Sequence, residues 1–201
     1  MAAAISIIVP VYHGKQYIRQ MVEQVESCSE AVTSAVELLF VNDDPKAPME
    51  SDFHSEKIKI RVLNTDCNRG IHGARVRGFQ EAEGEYILFL DQDDRIFPLY
   101  LKSQMERIGD ADAVVCQLID ENRIYYGEHR PFEKAIEKAS VIGEGNHIVS
   151  PGQVLLRRES VSIIWQQNCL HNNGADDWFL WICMLSEGKR FQLNEELLFE
   201  H

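Results

Sequence analysis

The chain has 201 residues, 45% of them hydrophobic, and a formal net charge of −12. That length supports one domain with a substantial core, and the charge argues against a nucleic-acid partner, which needs concentrated Lys and Arg to meet phosphates. No apolar run approaches the ~18 residues needed to cross a bilayer. The start, Met1-Ala2-Ala3-Ala4 followed by Ile5, has no signal-peptide pattern, so a cytoplasmic location is expected. The five cysteines (28, 67, 116, 169, 183) form no CxxC pair and read as free thiols in a reducing compartment.

Ile5–Val11 reads as a buried strand closed by Pro10 and a turn at His13-Gly14. Ile18, Met21, Val22 and Val25 then recur at helical spacing. Val36–Val41 is a second strand stopped by Asn42-Asp43-Asp44-Pro45, and Ile58–Leu63 alternates as a third. Gly70–Ala82 reads as a helix, and Glu85–Leu90 as a further strand. A helix at Leu99–Ile108 and a strand at Ala113–Leu118 follow. Residues 120–147, polar and carrying three glycines, read as an irregular excursion over the active face. Val154–Leu156 resumes a strand, Ala175–Leu185 is a helix, and Arg190–Leu193 and Leu197–Glu200 are two short last strands. Strands alternating with helices imply right-handed βαβ units and an α/β fold. The expected architecture is a mostly parallel central sheet flanked by helices in a single Rossmann-like domain, residues 1–201. No internal repeat or linker interrupts it.

The segment Glu85–Asp94 is the most telling. A short apolar run stops at Asp91, Asp93 and Asp94, three carboxylates in four positions. In open α/β sheets ligands bind beyond the carboxyl ends of strands. Mg2+ and Mn2+ take one or two carboxylates plus substrate phosphates, so Asp91 and Asp93 are candidate cation ligands. Read alone, the cluster could equally cap a helix before Ile96-Phe97-Pro98. Asn68-Arg69-Gly70-Ile71-His72-Gly73 opens a helix whose start suits an anion, although glycines at 70, 73 and 78 do not make a dinucleotide fingerprint. Arg77 falls on a different face from Arg75 and reads as solvated. Asp176-Asp177 precede eight successive apolar residues, Trp178–Leu185, which predict a helix buried on every face. Read alone, that acidic pair caps the helix. The polar stretch 166–174 suits either an acceptor loop or a solvated connector. Histidines 13, 54, 72, 129, 147 and 171 lack ligand-like spacing and read as surface or internally satisfied.

Several blocks in fixed order resemble glycosyltransferase family 2, the inverting nucleotide-sugar transferases of GT-A fold. They are Ile7-Ile8-Val9-Pro10-Val11-Tyr12, then Leu39-Phe40-Val41-Asn42-Asp43-Asp44, then Asn68-Arg69-Gly70 through Ala74-Arg75 and Gly84-Glu85-Tyr86 to Asp91-Gln92-Asp93-Asp94, and last Asp176-Asp177-Trp178. The resemblance implies that Pro10, Val11 and Tyr12 border a uridine-type base. It implies that an acid among Asn42, Asp43 and Asp44, here Asp43, meets the base N–H, although Asp44-Pro45 departs from the family's Asp-Asp-Gly-Ser-like run. Asn68 and Gly70 would approach the phosphates, and Arg75 would reach the diphosphate or orient Asp91. Val76 replaces the Asn of many relatives.

By the same resemblance Asp91 touches the ribose or the metal, Asp93 ligates Mn2+ or Mg2+, and Asp94 caps the next helix. Asp177 is the catalytic base, with Asp176 and Trp178 on the acceptor side. His201 matches a metal-binding His of many relatives but stands at the chain end. The implied activity is transfer from a nucleoside diphosphate sugar, taken as a UDP-sugar, to a carbohydrate or lipid-linked acceptor in cell-surface polysaccharide synthesis, with peripheral contact at the inner membrane face allowed. Two rivals are an inactive or truncated nucleotide-binding domain of the same fold, since many relatives continue further, and a nucleotidyltransferase. The latter wants a Gly-rich triphosphate loop that Val11-Tyr12-His13-Gly14-Lys15 matches poorly.

Overall fold

The computed structural model describes residues 4–170 and 174–201. Residues 171–173 of the polar 166–174 loop, including His171, lie outside the described residues. Strand Ile5–Val11 (β1) and strand Val36–Asn42 (β2) are buried at every position. Continuous Val, Ile, Leu and Phe runs do this because a parallel sheet is covered on both faces. β1 pairs in parallel with β2 on one side and with Tyr86–Phe89 (β4) on the other. Lys59–Asn64 (β3) extends the parallel run beyond β2. As the edge strand it is only partly buried along its middle, so the alternation expected of it is absent.

Beyond β4 the direction changes. Val154–Arg157 (β8) runs antiparallel to β4 and to Ala113–Asp120 (β6). Phe191–Glu200 (β9) lies parallel to β6, and Arg95–Ile96 (β5) pairs antiparallel with its end. The sheet order is β3-β2-β1-β4-β8-β6-β9-β5, with Arg123–Ile124 (β7) paired to β6. The parallel, Rossmann-like half is therefore β3 to β4, and β8 is the element that reverses. A three-residue apolar run such as Val154–Leu156 carries no mark of its direction. The two short last strands expected from the sequence are one ten-residue strand. Its polar break at Asn194-Glu195-Glu196 is absorbed by register shifts opposite Cys116, Gln117 and Leu118.

Helix Ile18–Ser29 (α1) buries Ile18, Met21 and Val25 of the stripe its spacing predicts, together with Cys28, while Val22 stays partly buried. Gly70–Glu81 (α2) crosses β1 and β2, and Tyr100–Ile108 (α3) covers β6 and β9. Lys138–Gly143 (α4) and Ile163–Gln167 (α5) both pack on Asp176–Ser186 (α6). The 120–147 segment is thus less irregular than its composition suggests: Tyr126, Ala135 and Val141 enter the core. Helix α6 is buried but not uniformly, since Trp178, Phe179, Ile182 and Leu185 remain partly exposed.

Gly78 sets how closely α2 approaches the sheet. A Cβ there would lie 2.4 Å from Ile8 Cγ2 and 2.9 Å from Val41 Cγ2. Those methyls belong to central strands and cannot retreat. Overpacking then outweighs the ~1 kcal/mol that Ala offers a helix, and Gly78→Ala should lower stability by about 1–2 kcal/mol net. The urea midpoint reads this; an unchanged or raised midpoint would contradict the packing account.

Candidate active site

The carboxyl ends of β1, β2 and β4 and the start of α2 enclose a cleft of about 890 Å3. β1 brings Pro10 and Val11, followed by Tyr12, which is 48% exposed. β2 delivers Asp43, the turn into α2 delivers Asn68 and Gly70, and the turn after β4 delivers Asp91 and Asp93. This is where an open α/β sheet offers a ligand site.

The turn after β4 is tied to the first strand through Gln92, which the sequence did not single out. Its Oε1 accepts from the Tyr12 N–H at 3.1 Å and its Nε2 donates to the Tyr12 carbonyl at 3.2 Å. The amide acts as one rung of a strand ladder, setting the spacing between Tyr12 and the Asp91–Asp93 turn.

Asp43 is buried, and its carboxylate accepts from the Arg69 N–H at 2.9 Å and from Thr65 Oγ1 at 3.1 Å. The neighbouring acids and amide are spent elsewhere. Asn42 donates to Asn64 Oδ1 at 2.8 Å, and Asp44 accepts from the Lys46 N–H at 3.0 Å and lies 3.2 Å from His13 Nδ1. Of the three, Asp43 alone lines the cleft.

Arg75 does not line the cleft. It lies beneath it, 3% exposed, with one terminal nitrogen on Asp91 Oδ1 and the other on Asp176 Oδ2 at 2.7 Å. Of the two roles the sequence left open, orienting Asp91 is the one its geometry has. Flanking carboxylates hold the guanidinium protonated well above its ordinary range despite burial. Asp176 is consequently 1% exposed and faces Arg75, which corrects its acceptor-side assignment. Trp178 is partly exposed, and its indole N–H donates to the Val141 carbonyl at 2.7 Å, fastening α4 to α6.

Asp177 is 8% exposed and lies outside the residues lining the cleft. Burial raises its carboxyl to about 6, the nearby Arg75 charge opposing the rise. Its oxygens accept from the Trp178 N–H at 2.8 Å and from Asn146 Nδ2 at 3.0 Å. Neither acid is the cap residue, which is Ala175; both occupy the first turn, where the helix dipole favours negative charge.

Asp94 does not cap the following helix, whose cap position is Leu99. It is buried, accepting from Ser150 Oγ at 2.6 Å and from His201 Nδ1 at 2.8 Å. That contact raises the His201 imidazole to about 9. His201 is therefore turned to Asp94, and the β5–β9 pairing explains how the chain end reaches this turn. Among the described residues no group of three or more His, Cys, Asp or Glu gathers as a ready metal cage. Asp93 and the Asp91 oxygen not engaged by Arg75 still suit a hard cation completed by a diphosphate and water.

Arg77 is on a different face from Arg75 and largely solvated, as expected, and it also lines the cleft while pairing with Glu81 at 3.0 Å. Arg69 and Gly73 line it as well. The signal was present in the sequence: residues 69, 73 and 77 recur every four positions and share one helix face. His72 points the other way, 1% exposed and stacked on Trp165. Its Nδ1 accepts from the Leu170 N–H at 2.9 Å, so its Nε2–H must donate to the Trp165 carbonyl at 3.1 Å. Burial lowers its basicity, and the neutral ring pins the segment leading to Cys169, which also borders the cleft.

Arg75→Met should cost about 3–5 kcal/mol, because it strands the buried Asp176 carboxylate. Arg77→Ala, which breaks an exposed pair, should cost about 0–1 kcal/mol. Urea denaturation of both proteins checks the contrast; equal losses would contradict the buried bridge.

The sequence profile described as Glycosyl transferase family 2 matches residues 6–165. Among curated proteins, the putative glycosyltransferase EpsH of Bacillus subtilis (strain 168) is 30% identical over 117 residues, covering 56% of this chain and 33% of that relative. The chain thus spans about a third of that relative's length. Among solved structures, S. aureus TarS 1-349 superposes with a TM-score of 0.71 at 19% identity, over 100% of this chain and 60% of that one. TarS 1-349 in complex with UDP-GlcNAc also gives a TM-score of 0.71 at 19% identity, over 100% and 58% of the two chains. These superpositions share one α/β architecture, the GT-A fold.

Proposed function

Because the chain belongs to glycosyltransferase family 2, we propose that it transfers a sugar from a UDP-sugar to an acceptor hydroxyl with inversion at the anomeric carbon. The observation that carries this reading is the convergence of Tyr12, Asp43, Asp91 and Asp93 on one cleft, with Asp176, the neighbour of Asp177, bridged to it from below by Arg75. UDP-GlcNAc bound to TarS supports a uridine nucleotide as the donor class. Tyr12 offers an aromatic face to the base, and Asp43 offers it a carboxylate.

In the proposed step the acceptor oxygen attacks the anomeric carbon opposite the leaving group. Asp177 takes the hydroxyl proton, the carbon–oxygen bond to the β-phosphate breaks, and its electron pair departs with UDP. A carboxylate titrating near 6 is ionised at neutral pH yet more basic than an exposed aspartate, as a general base requires. Asp93 and Asp91 would hold Mn2+ or Mg2+, which would supply Lewis-acid neutralisation of the charge gathering on the leaving diphosphate. The acceptor is proposed as a carbohydrate or lipid-linked sugar of surface polysaccharide synthesis. No described helix is long and apolar enough to cross a membrane, and peripheral contact with the inner membrane face is part of the proposal.

UDP-GlcNAc turnover in the presence of Mn2+ tests the proposal. Asp177→Asn should lower kcat by about 100- to 10,000-fold, and Asp93→Ala should depress turnover while shifting stability by no more than about 0.5 kcal/mol. Full activity in Asp177→Asn would overturn the base assignment. Activity of the wild type should fall as pH drops through 6, where Asp177 takes up its proton; a rate flat down to pH 4 would count against it.

A further inference from the structure

Asn146 stands after α4, in the 120–147 segment expected to pass over the active face, and its amide is fixed at both ends. Its Oδ1 accepts from the Ile148 N–H at 3.1 Å, and its Nδ2 donates to Asp177 Oδ2 at 3.0 Å. A backbone N–H can only donate, so the amide cannot flip, and its NH2 group must face the carboxylate. Two further features hold the segment in place. Trp178, the neighbour of Asp177, grips the Val141 carbonyl of α4 at 2.7 Å. Gly145, with φ +127, takes a backbone conformation that side-chain-bearing residues rarely adopt, turning the chain just before Asn146.

The carboxylate therefore has one fixed donor on each oxygen: the Trp178 N–H at 2.8 Å on Oδ1 and Asn146 on Oδ2. Each oxygen keeps one further acceptor direction. The charged groups facing Asp177 are Arg75 from α2 and Asp176 from its own helix. Arg75 is committed to Asp91 and Asp176. Among the described residues, Asn146 is thus the side chain hydrogen-bonded to Asp177.

We propose that Asn146 is a positioning residue for the reaction: its amide holds the Asp177 carboxylate in the orientation that receives the acceptor proton. This rests on the assignment of Asp177 as base. The donated hydrogen bond favours the ionised carboxylate, so its loss makes Asp177 harder to ionise.

The test uses the full chain, 13C-labelled at the Asp carboxyl carbons, with Asp177→Asn identifying the Asp177 signal. In Asn146→Ala the titration midpoint of Asp177 should rise by about one pH unit. Asn146→Asp keeps the volume and the oxygen that accepts from Ile148, so the segment stays anchored if alanine loosens it. It replaces the donor by a second acid, and the pair should titrate in two separated steps. With UDP-GlcNAc hydrolysis as the activity, kcat of Asn146→Ala should fall about tenfold or more at neutral pH. Its KM for the donor should stay unchanged, and the acid limb of its pH profile should move to higher pH. An Asp177 midpoint unmoved in both variants, or a loss confined to donor KM, overturns the proposal. The carboxyl titration does not depend on turnover, so an inactive wild type would remove the base assignment, whereas an unmoved midpoint would remove this one.

Discussion

The buried guanidinium of Arg75 joins the two halves of the site. Asp91 stands in the turn after the central strand β4, and Asp176 begins α6, 85 positions later in the chain; Arg75 binds one with each terminal nitrogen. A cation this deep is tolerable only with carboxylates on it, and the carboxylates are tolerable only with the cation. The bridge therefore fixes the distance between the turn that lines the cleft and the helix that carries Asp177. Its value lies in register more than in stability, since a buried ion pair recovers little beyond its desolvation cost.

The sheet supplies the rest of the geometry. Its four parallel strands place Tyr12, Asp43 and Asp91 at one rim, and Gln92 ties the first of these to the last. Beyond β4 the antiparallel β8 and the bulged β9 bring distant segments back to the same rim. β5 pairs with the end of β9, so Asp94 meets His201, while Ser150, just before β8, holds the other oxygen of Asp94. A turn carrying three acids is thus fastened from several sides, leaving Asp93 the exposed member.

Much of this could be read from the residues. β1, β2 and β4 announce themselves as short Val, Ile, Leu and Phe runs, and Asp43, Asp91 and Asp93 follow them directly. Helix α1 shows its stripe by period. What escaped was information that pairing, not local sequence, determines. The reversed β8 looks like any apolar run, and the polar Asn194–Glu196 break hides a continuous β9 because a bulge absorbs it. Among site residues, the spacing of Arg77 from Arg69 and Gly73 places it on the cleft face, which its solvated character alone does not reveal. Sequence position does not show that α2 stands against α6, which is what turns Asp176 to Arg75 and away from any acceptor. Asn146 carried no signal, since its role exists only through contact with Asp177.

The account turns on whether the cleft binds a uridine nucleotide through the acids at its rim. Calorimetric titration of UDP, with and without Mn2+, measures this directly on the wild-type chain and on Asp93→Ala. The account predicts binding that is strengthened by Mn2+ in the wild type and loses that strengthening in Asp93→Ala. No heat of binding to the wild type under either condition would contradict it.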